Sequence, residues 1–126
     1  MIDLKPQNQI SLFGLDKFFF ELINLFEQNR LPNKMLFSGQ KGIGKSTMAY
    51  HLINYTLSKN EEYSYDLSNL KINPENSSFK TIINKSNPNF ILIDINSEKK
   101  NIDINQVREL ILLLNKSSFN NKPRFV

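Results

Sequence analysis

The amino-acid sequence predicts an α/β fold in which a parallel sheet is flanked by helices. Helical and strand-like patterns alternate along the 126 residues, which is typical of parallel sheets. Residues 90–95 form a nearly continuous apolar run that suits a strand covered on both faces. Three of the four glycines lie within residues 39–44, between a predicted strand and a predicted helix. These three observations together carry the fold prediction.

The first half of the chain is predicted to contain an extended segment, a helix, a strand and a second helix. Residues 1–15 are polar and are expected to be extended. Asp16 is predicted to cap a helix with apolar residues at spacings of three and four, and this helix should end before Pro32. Residues 35–38 are interpreted as a short buried strand. A second helical pattern runs from residue 45 to about residue 57.

The second half is predicted to add two helices and two strands. Residues 58–76 are polar and irregular, and a short helix is expected over 78–85. After the strand at 90–95, Asp103 is predicted to cap a helix that continues to residue 114. Residues 122–126 have the pattern of a further strand. The chain is therefore expected to be the front part of a larger domain, cut at its third strand.

The composition excludes several classes of function. The chain has no cysteine, which rules out disulfides, thiolate zinc sites, iron–sulfur clusters and a cysteine nucleophile. No apolar run approaches the roughly 18 residues that cross a bilayer, and the first residues lack the pattern of a signal peptide. We therefore expect a cytoplasmic protein without a membrane partner. The net charge of +4 permits a nucleic-acid partner without requiring one.

Residues 39–46, Gly-Gln-Lys-Gly-Ile-Gly-Lys-Ser, match the phosphate-loop pattern without a gap. Glycines let the backbone approach a polyphosphate, and the loop amides with the following helix N-terminus favour an anion. Lys45 is predicted to neutralise charge on the β- and γ-phosphates, and the Ser46 hydroxyl to bind Mg²⁺. The predicted ligands are therefore ATP and Mg²⁺. The residues predicted to contact the nucleotide are Gly39, Gln40, Lys41, Gly42, Ile43, Gly44, Lys45, Ser46 and Thr47.

Other candidate residues are weaker. The loop could be a glycine-rich turn without a ligand, although the flanking strand and helix patterns argue against this. Asp94 could hold a metal, but an edge or turn position is favoured because no second acid is adjacent. His51 is interpreted as a partly exposed helical histidine, and Phe18–Phe20 as core rather than a base-stacking platform. No general base and no arginine finger are identified within the chain.

Three segments, in order, resemble the bacterial clamp-loader AAA+ ATPases of DNA polymerase III. Residues 30–49 resemble the first strand and Walker A region of that family. Residues 86–90, Ser-Asn-Pro-Asn-Phe, resemble its "HPD" stretch, with Asn87 and Asn89 in place of His and Asp. Residues 102–110 resemble its "I-x-I-D-Q-I-R-x-L" segment. The similarity is greatest to the delta-prime subunits, with the gamma/tau subunits next.

The resemblance implies that residues 1–126 are the N-terminal part of a AAA+ nucleotide-binding domain. Residues 58–85 would be an irregular insertion in place of the zinc module of many relatives. The family's phosphate contacts carry over to residues 39–47, and its adenine-contacting segment falls near Ile10–Gly14. The implied partners are the other clamp-loader subunits and, through the complex, the sliding clamp and primed DNA.

The resemblance leaves the activity open. The chain contains no Walker B acids, sensors or Ser-Arg-Cys motif, so ATP hydrolysis cannot be predicted from these residues. The leading hypothesis is an ATP-binding clamp-loader subunit that helps to load the clamp during replication. The alternatives are a non-hydrolysing structural (stator) subunit of the same complex and, with less support, a P-loop kinase acting on a small molecule.

Overall fold

A computed structural model describes residues 4–126. One 3₁₀ turn and four helices follow one another along this range, with turns and irregular segments between them. The elements are the 3₁₀ turn Pro6–Asn8, α1 (Asp16–Glu27), α2 (Lys45–Leu57), α3 (Ser77–Ile83) and α4 (Ile104–Leu114). Of the stretch predicted to be extended, residues 1–3 lie outside the described residues, and the 3₁₀ turn interrupts the remainder.

The predicted α/β fold with a parallel sheet is wrong. Residues 4–126 contain helices and isolated bridges but no strand and no sheet. The apolar run at 35–38 has no paired neighbour, and the run at 91–95 is paired only at Ile91. Both runs are largely uncovered: Leu36 is 91 % exposed and Leu92 is 58 % exposed. An apolar run becomes a strand only where a second backbone satisfies its N–H and C=O groups along its length, and here no second backbone does so beyond Ile91.

One trace of the predicted pairing remains, at a single parallel bridge between Phe90 and Phe125. Ile91 N donates to the Phe125 carbonyl at 2.9 Å, and Phe125 N donates to the Asn89 carbonyl at 2.7 Å. The two predicted strands at 90–95 and 122–126 therefore meet side by side. Their contact is too short to make a sheet.

The core lies between α1, α2 and the irregular segment at 58–76. Its buried apolar side chains come from stretches that are far apart in the chain, which ties those stretches into one unit. The cluster consists of Leu12, Leu15, Phe19, Ile23, Met48, Leu52, Tyr65, Leu70 and Ile72. The segment at 58–76 is irregular, as predicted, but it also supplies three of these core residues.

The helix ends follow local sequence signals with one exception. Helix α2 has the predicted bounds, and α3 begins after Asn76, whose side chain accepts from Phe79 N at 2.7 Å. Asp103 caps α4, as predicted, in a capping box with Gln106. Asp16, however, is the first residue of α1 rather than its cap, a position where a carboxylate still favours the helix dipole.

Polar contacts rather than apolar burial hold the last part of the described chain. Asn89 and Asn120 exchange two amide hydrogen bonds of 2.9 and 3.0 Å. Arg124 Nη1 donates to the carbonyls of Leu113 and Lys116 at the end of α4. A cleft of about 700 Å³ lies between parts of this region and of α2 and α3, although Phe90 contacts Tyr50 on α2, with ring centroids 5.6 Å apart. Helix α4 itself contains no buried residue.

Candidate functional site

The loop at residues 39–44 has a backbone that only glycine adopts readily. Gly42 and Gly44 have φ of 85° and 97°, in the left-handed region where a Cβ atom is unfavourable. Gly44 is also the residue that precedes α2, so the loop leads directly to the helix N-terminus. The glycine spacing read from the sequence thus corresponds to the turns of the loop.

The Lys45 side chain folds back over the loop. Its ammonium Nζ donates to the Gly39 carbonyl at 2.8 Å and to the Gln40 carbonyl at 2.7 Å. Both contacts hold the positive charge against the inside of the loop, beside the first turn of α2. An anion that enters there would meet this ammonium together with the positive end of the helix.

The remaining loop residues differ in exposure. Ser46 lies in the first turn of α2 and is exposed, whereas Thr47 is half-buried. Lys41 and Ile43 point away from the core and are exposed. Within residues 4–126 no group of three or more His, Cys, Asp or Glu side chains could hold a metal ion.

Leu15, the residue that follows the segment expected near an adenine, lies beside this loop. A Cβ atom on Gly44 would lie 3.6 Å from Leu15 Cδ1, so Leu15 packs against the last loop glycine. The residues before it are held by backbone hydrogen bonds, from Leu12 N to the Leu70 carbonyl (3.1 Å) and from Ile72 N to the Ile10 carbonyl (2.8 Å). The structure thus brings Leu15, the residue next to the segment at 10–14, against the loop.

The prediction that His51 is partly exposed is wrong, because its side chain is fully buried. Nδ1 lies 2.7 Å from the Tyr65 hydroxyl, and Nε2 lies 2.9 Å from the Gln9 carbonyl. Burial lowers the pKa of His51 to about 4. The sequence did contain the signal: residue 51 follows Met48 by three and precedes Tyr55 by four, on the core side of α2.

Two other predictions have a clear outcome. Phe19 is in the core, as predicted, but Phe18 and Phe20 lie largely exposed on the outer side of α1. Asp94 is exposed, and its Oδ1 accepts from the backbone N of Ile95 at 2.7 Å. It lines the 700 Å³ cleft, away from the loop residues.

The pKa values of two tyrosine hydroxyls, those of Tyr50 and Tyr65, are both raised. Burial, with a smaller contribution from the Asp94 carboxylate, raises the pKa of Tyr50 on α2. Burial likewise raises the pKa of Tyr65, which bonds to His51. Both phenols therefore stay protonated at neutral pH and can donate a hydrogen bond.

Comparison with protein families gives one match. The family model described as DNA polymerase III, delta subunit, matches residues 14–126, a range that includes the glycine loop and all four helices. Searches of curated proteins and of solved structures returned no significant match. No helix within residues 4–126 has both the length and the apolar character needed to cross a membrane. Because the match covers most of the chain, this protein belongs to the DNA polymerase III delta subunit family and has its role in DNA replication within that polymerase complex.

Proposed function

We propose that this chain is the nucleotide-binding part of a delta-prime type subunit of the clamp loader, with ATP and Mg²⁺ held at residues 39–47. The observation that carries the proposal is the position of the Lys45 ammonium. It donates to two loop carbonyls beside the N-terminus of α2. Lys45 also belongs to a sequence that matches the phosphate-loop pattern without a gap.

The chemistry of the loop fits a polyphosphate. Left-handed glycines leave the loop amides open to a close approach, and the N-terminus of α2 favours negative charge. Lys45 would exchange its two carbonyl partners for phosphate oxygens, which are stronger partners because they are charged. Ser46 is exposed in the first turn of α2, where its hydroxyl would contribute to Mg²⁺ binding.

The proposal concerns binding of the nucleotide, and its role in the complex follows from that. Bound ATP would contact the loop and α2 through its phosphates and the segment at 10–14 through its base, and would so link them. In a clamp loader that helps to place the sliding clamp on primed DNA, such a link would stabilise one arrangement of subunits. The AAA+ relationship is proposed from the order of the sequence motifs alone, since residues 4–126 contain no sheet.

A second candidate within the same complex is a stator subunit that binds without turnover. The observation that favours it is that residues 4–126 bring together no group of three or more His, Cys, Asp or Glu side chains that could hold a metal ion. ATP hydrolysis normally needs a carboxylate or an equivalent group to hold Mg²⁺ and orient water. On this alternative the nucleotide would have a structural role.

The experiment compares two lysine variants that have the same net charge. Isothermal titration of the 126-residue chain with ATP and Mg²⁺ should show binding, and Lys45→Ala should weaken it at least about tenfold, since charged hydrogen bonds are lost. Lys100→Ala, at an exposed site outside the loop, should bind like the original chain. Equal affinity of all three proteins would contradict the proposal, as would absence of binding by the original chain.

A further inference from the structure

His51 is placed where three separate parts of the chain meet. It lies on α2, its Nε2 contacts the Gln9 carbonyl at 2.9 Å, and its Nδ1 contacts the Tyr65 hydroxyl at 2.7 Å. Gln9 precedes the segment at 10–15, and Tyr65 belongs to the irregular segment at 58–76. One buried ring therefore joins α2 to both of them.

The two contacts define a single tautomer. A backbone carbonyl can only accept, so Nε2 carries the hydrogen and donates it to Gln9. Nδ1 is then the acceptor for the Tyr65 hydroxyl. Neither partner can be exchanged for water, because the imidazole is fully buried. The arrangement therefore fixes where Gln9 lies relative to α2.

The same stretch is held from its other side. Residues 10 and 12 exchange backbone hydrogen bonds with residues 72 and 70, at 2.8 and 3.1 Å. Tyr65 itself packs against the Phe19 ring, with centroids 5.6 Å apart. The segment at 9–12 thus has two attachments, one to the irregular segment and one to α2, and His51 provides the side-chain contact to α2.

The segment at 9–12 sets the position of the residues that follow it, 13–15, beside the glycine loop. Leu15 packs against Gly44, as the 3.6 Å approach shows, and Phe13 lies two residues earlier, with its ring 81 % exposed. Since consecutive Cα atoms are about 3.8 Å apart, Phe13 must remain close to the loop. A shift of the segment at 9–12 would therefore move residues 13–15 relative to the loop, while the loop's own contacts with Lys45 would stay in place.

We propose that His51 is a positioning residue, which through Gln9 sets the place of residues 10–14 and thereby the affinity for the nucleoside part of the nucleotide. This inference rests on the proposed nucleotide site and adds a specific division of labour to it. The loop and Lys45 bind the phosphates, whereas His51 acts only on the contacts of the base and ribose.

The test separates these two parts with a ligand that lacks the nucleoside. The affinities of the 126-residue chain for Mg²⁺–ATP and for Mg²⁺–tripolyphosphate are measured by titration calorimetry. His51→Leu should weaken ATP binding about tenfold, an effect the size of a lost buried hydrogen bond, and should leave tripolyphosphate within about twofold. His51→Gln, whose amide has one donor and one acceptor, should restore most of the ATP affinity.

A variant with less structural risk gives the same information. Tyr65→Phe removes only the hydroxyl and keeps the ring in the core, so it tests the fixed tautomer even if His51→Leu does not fold. It should weaken ATP binding about threefold and leave tripolyphosphate unchanged.

The outcomes distinguish the two proposals. If the original chain binds neither ligand, the nucleotide site itself is wrong. The positioning role of His51 is overturned if the original chain binds both ligands and the variants either lose affinity for both by the same factor or lose affinity for neither.

Discussion

Two regions of this chain are built differently, although both contain helices with apolar residues. Every buried apolar side chain of the described chain lies between Leu12 and Ile82, in what we call the packed region. Within residues 89–126, the open region, the only buried residue is Asn89. Helices α1 and α4 both have a distinct apolar side, yet α1 buries Phe19 and Ile23 and α4 buries nothing.

The difference shows that an amphipathic pattern specifies a face but not what covers it. In the packed region three stretches distant in sequence supply apolar surface to one another, and burial of that surface stabilises the fold. In the open region the connections are amide pairs, caps and single hydrogen bonds, with one ring contact between Phe90 and Tyr50. Hydrogen bonds of this kind have smaller net effects on stability. The free energy of unfolding should therefore reside largely in the packed region.

The largest effect is expected from a matched pair of leucines. Leu52 on α2 is 2 % exposed, and Leu112 on α4 is 66 % exposed. Leu52→Ala should lower the free energy of unfolding by about 2–5 kcal/mol, because it removes buried contacts and leaves a cavity. Leu112→Ala should change it by less than about 0.5 kcal/mol. Urea denaturation followed by circular dichroism measures both, and similar losses would show that the open region is as tightly packed.

The next effect comes from the pH dependence of the packed region. His51 is the only histidine, and its pKa in the folded chain is about 4 against an ordinary value of 6.5. As pH falls below 6.5 the unfolded chain takes up a proton and the folded chain does not. Stability is therefore complete above pH 6.5 and is lost between pH 6.5 and 4, by up to about 3 kcal/mol.

The control for this pH dependence is His51→Gln, which keeps a donor and an acceptor but does not titrate. Urea midpoints measured across pH 7 to pH 4.5 should fall for the original chain and stay nearly level for the variant. A slope that persists in the variant would assign the acid sensitivity to other groups. The carboxylates are the main candidates, since they begin to titrate at the lower end of this range.

The smallest effect is expected from a cap in the open region. The Asp103 carboxylate accepts a hydrogen bond from Asn105 N at 3.0 Å, and Asp103 N donates one to Gln106 Oε1 at 3.1 Å. Lys99 and Asn105 hold the pKa of Asp103 below its usual range, so the cap is ionised at neutral pH. Asp103→Ala should reduce amide-exchange protection several-fold over α4 and leave α2 unchanged, because the effect is local. Reduced protection in α2 as well would mean that the two regions unfold together.

Much of the helical structure could be predicted from the sequence, because its causes are local. The bounds of α2 follow from the glycine that precedes it and from its apolar spacing, and the start of α4 follows from Asp103 and Gln106. The sheet could not be predicted correctly. The runs at 35–38 and 91–95 have the composition of strands, but pairing depends on a second backbone that the local pattern does not specify.

The candidate site divides in the same way. The spacing of residues 39–46 identified the loop, and the structure places Lys45 on the loop carbonyls. The contribution of His51 was missed, because it depends on Gln9, 42 residues earlier, and Tyr65, 14 residues later. No periodicity on α2 alone identifies those partners.

The sequence by itself determined the helices, the caps of α3 and α4 and the glycine loop, since hydrogen bonds and dihedral preferences within a few residues decide them. It also carried the family, which the match over residues 14–126 shows. Tertiary structure alone decided that the apolar runs pair nowhere beyond Ile91 and that α4 stays uncovered. It also decided that a buried imidazole joins three distant segments, because burial and pairing depend on which surfaces the rest of the chain brings into contact.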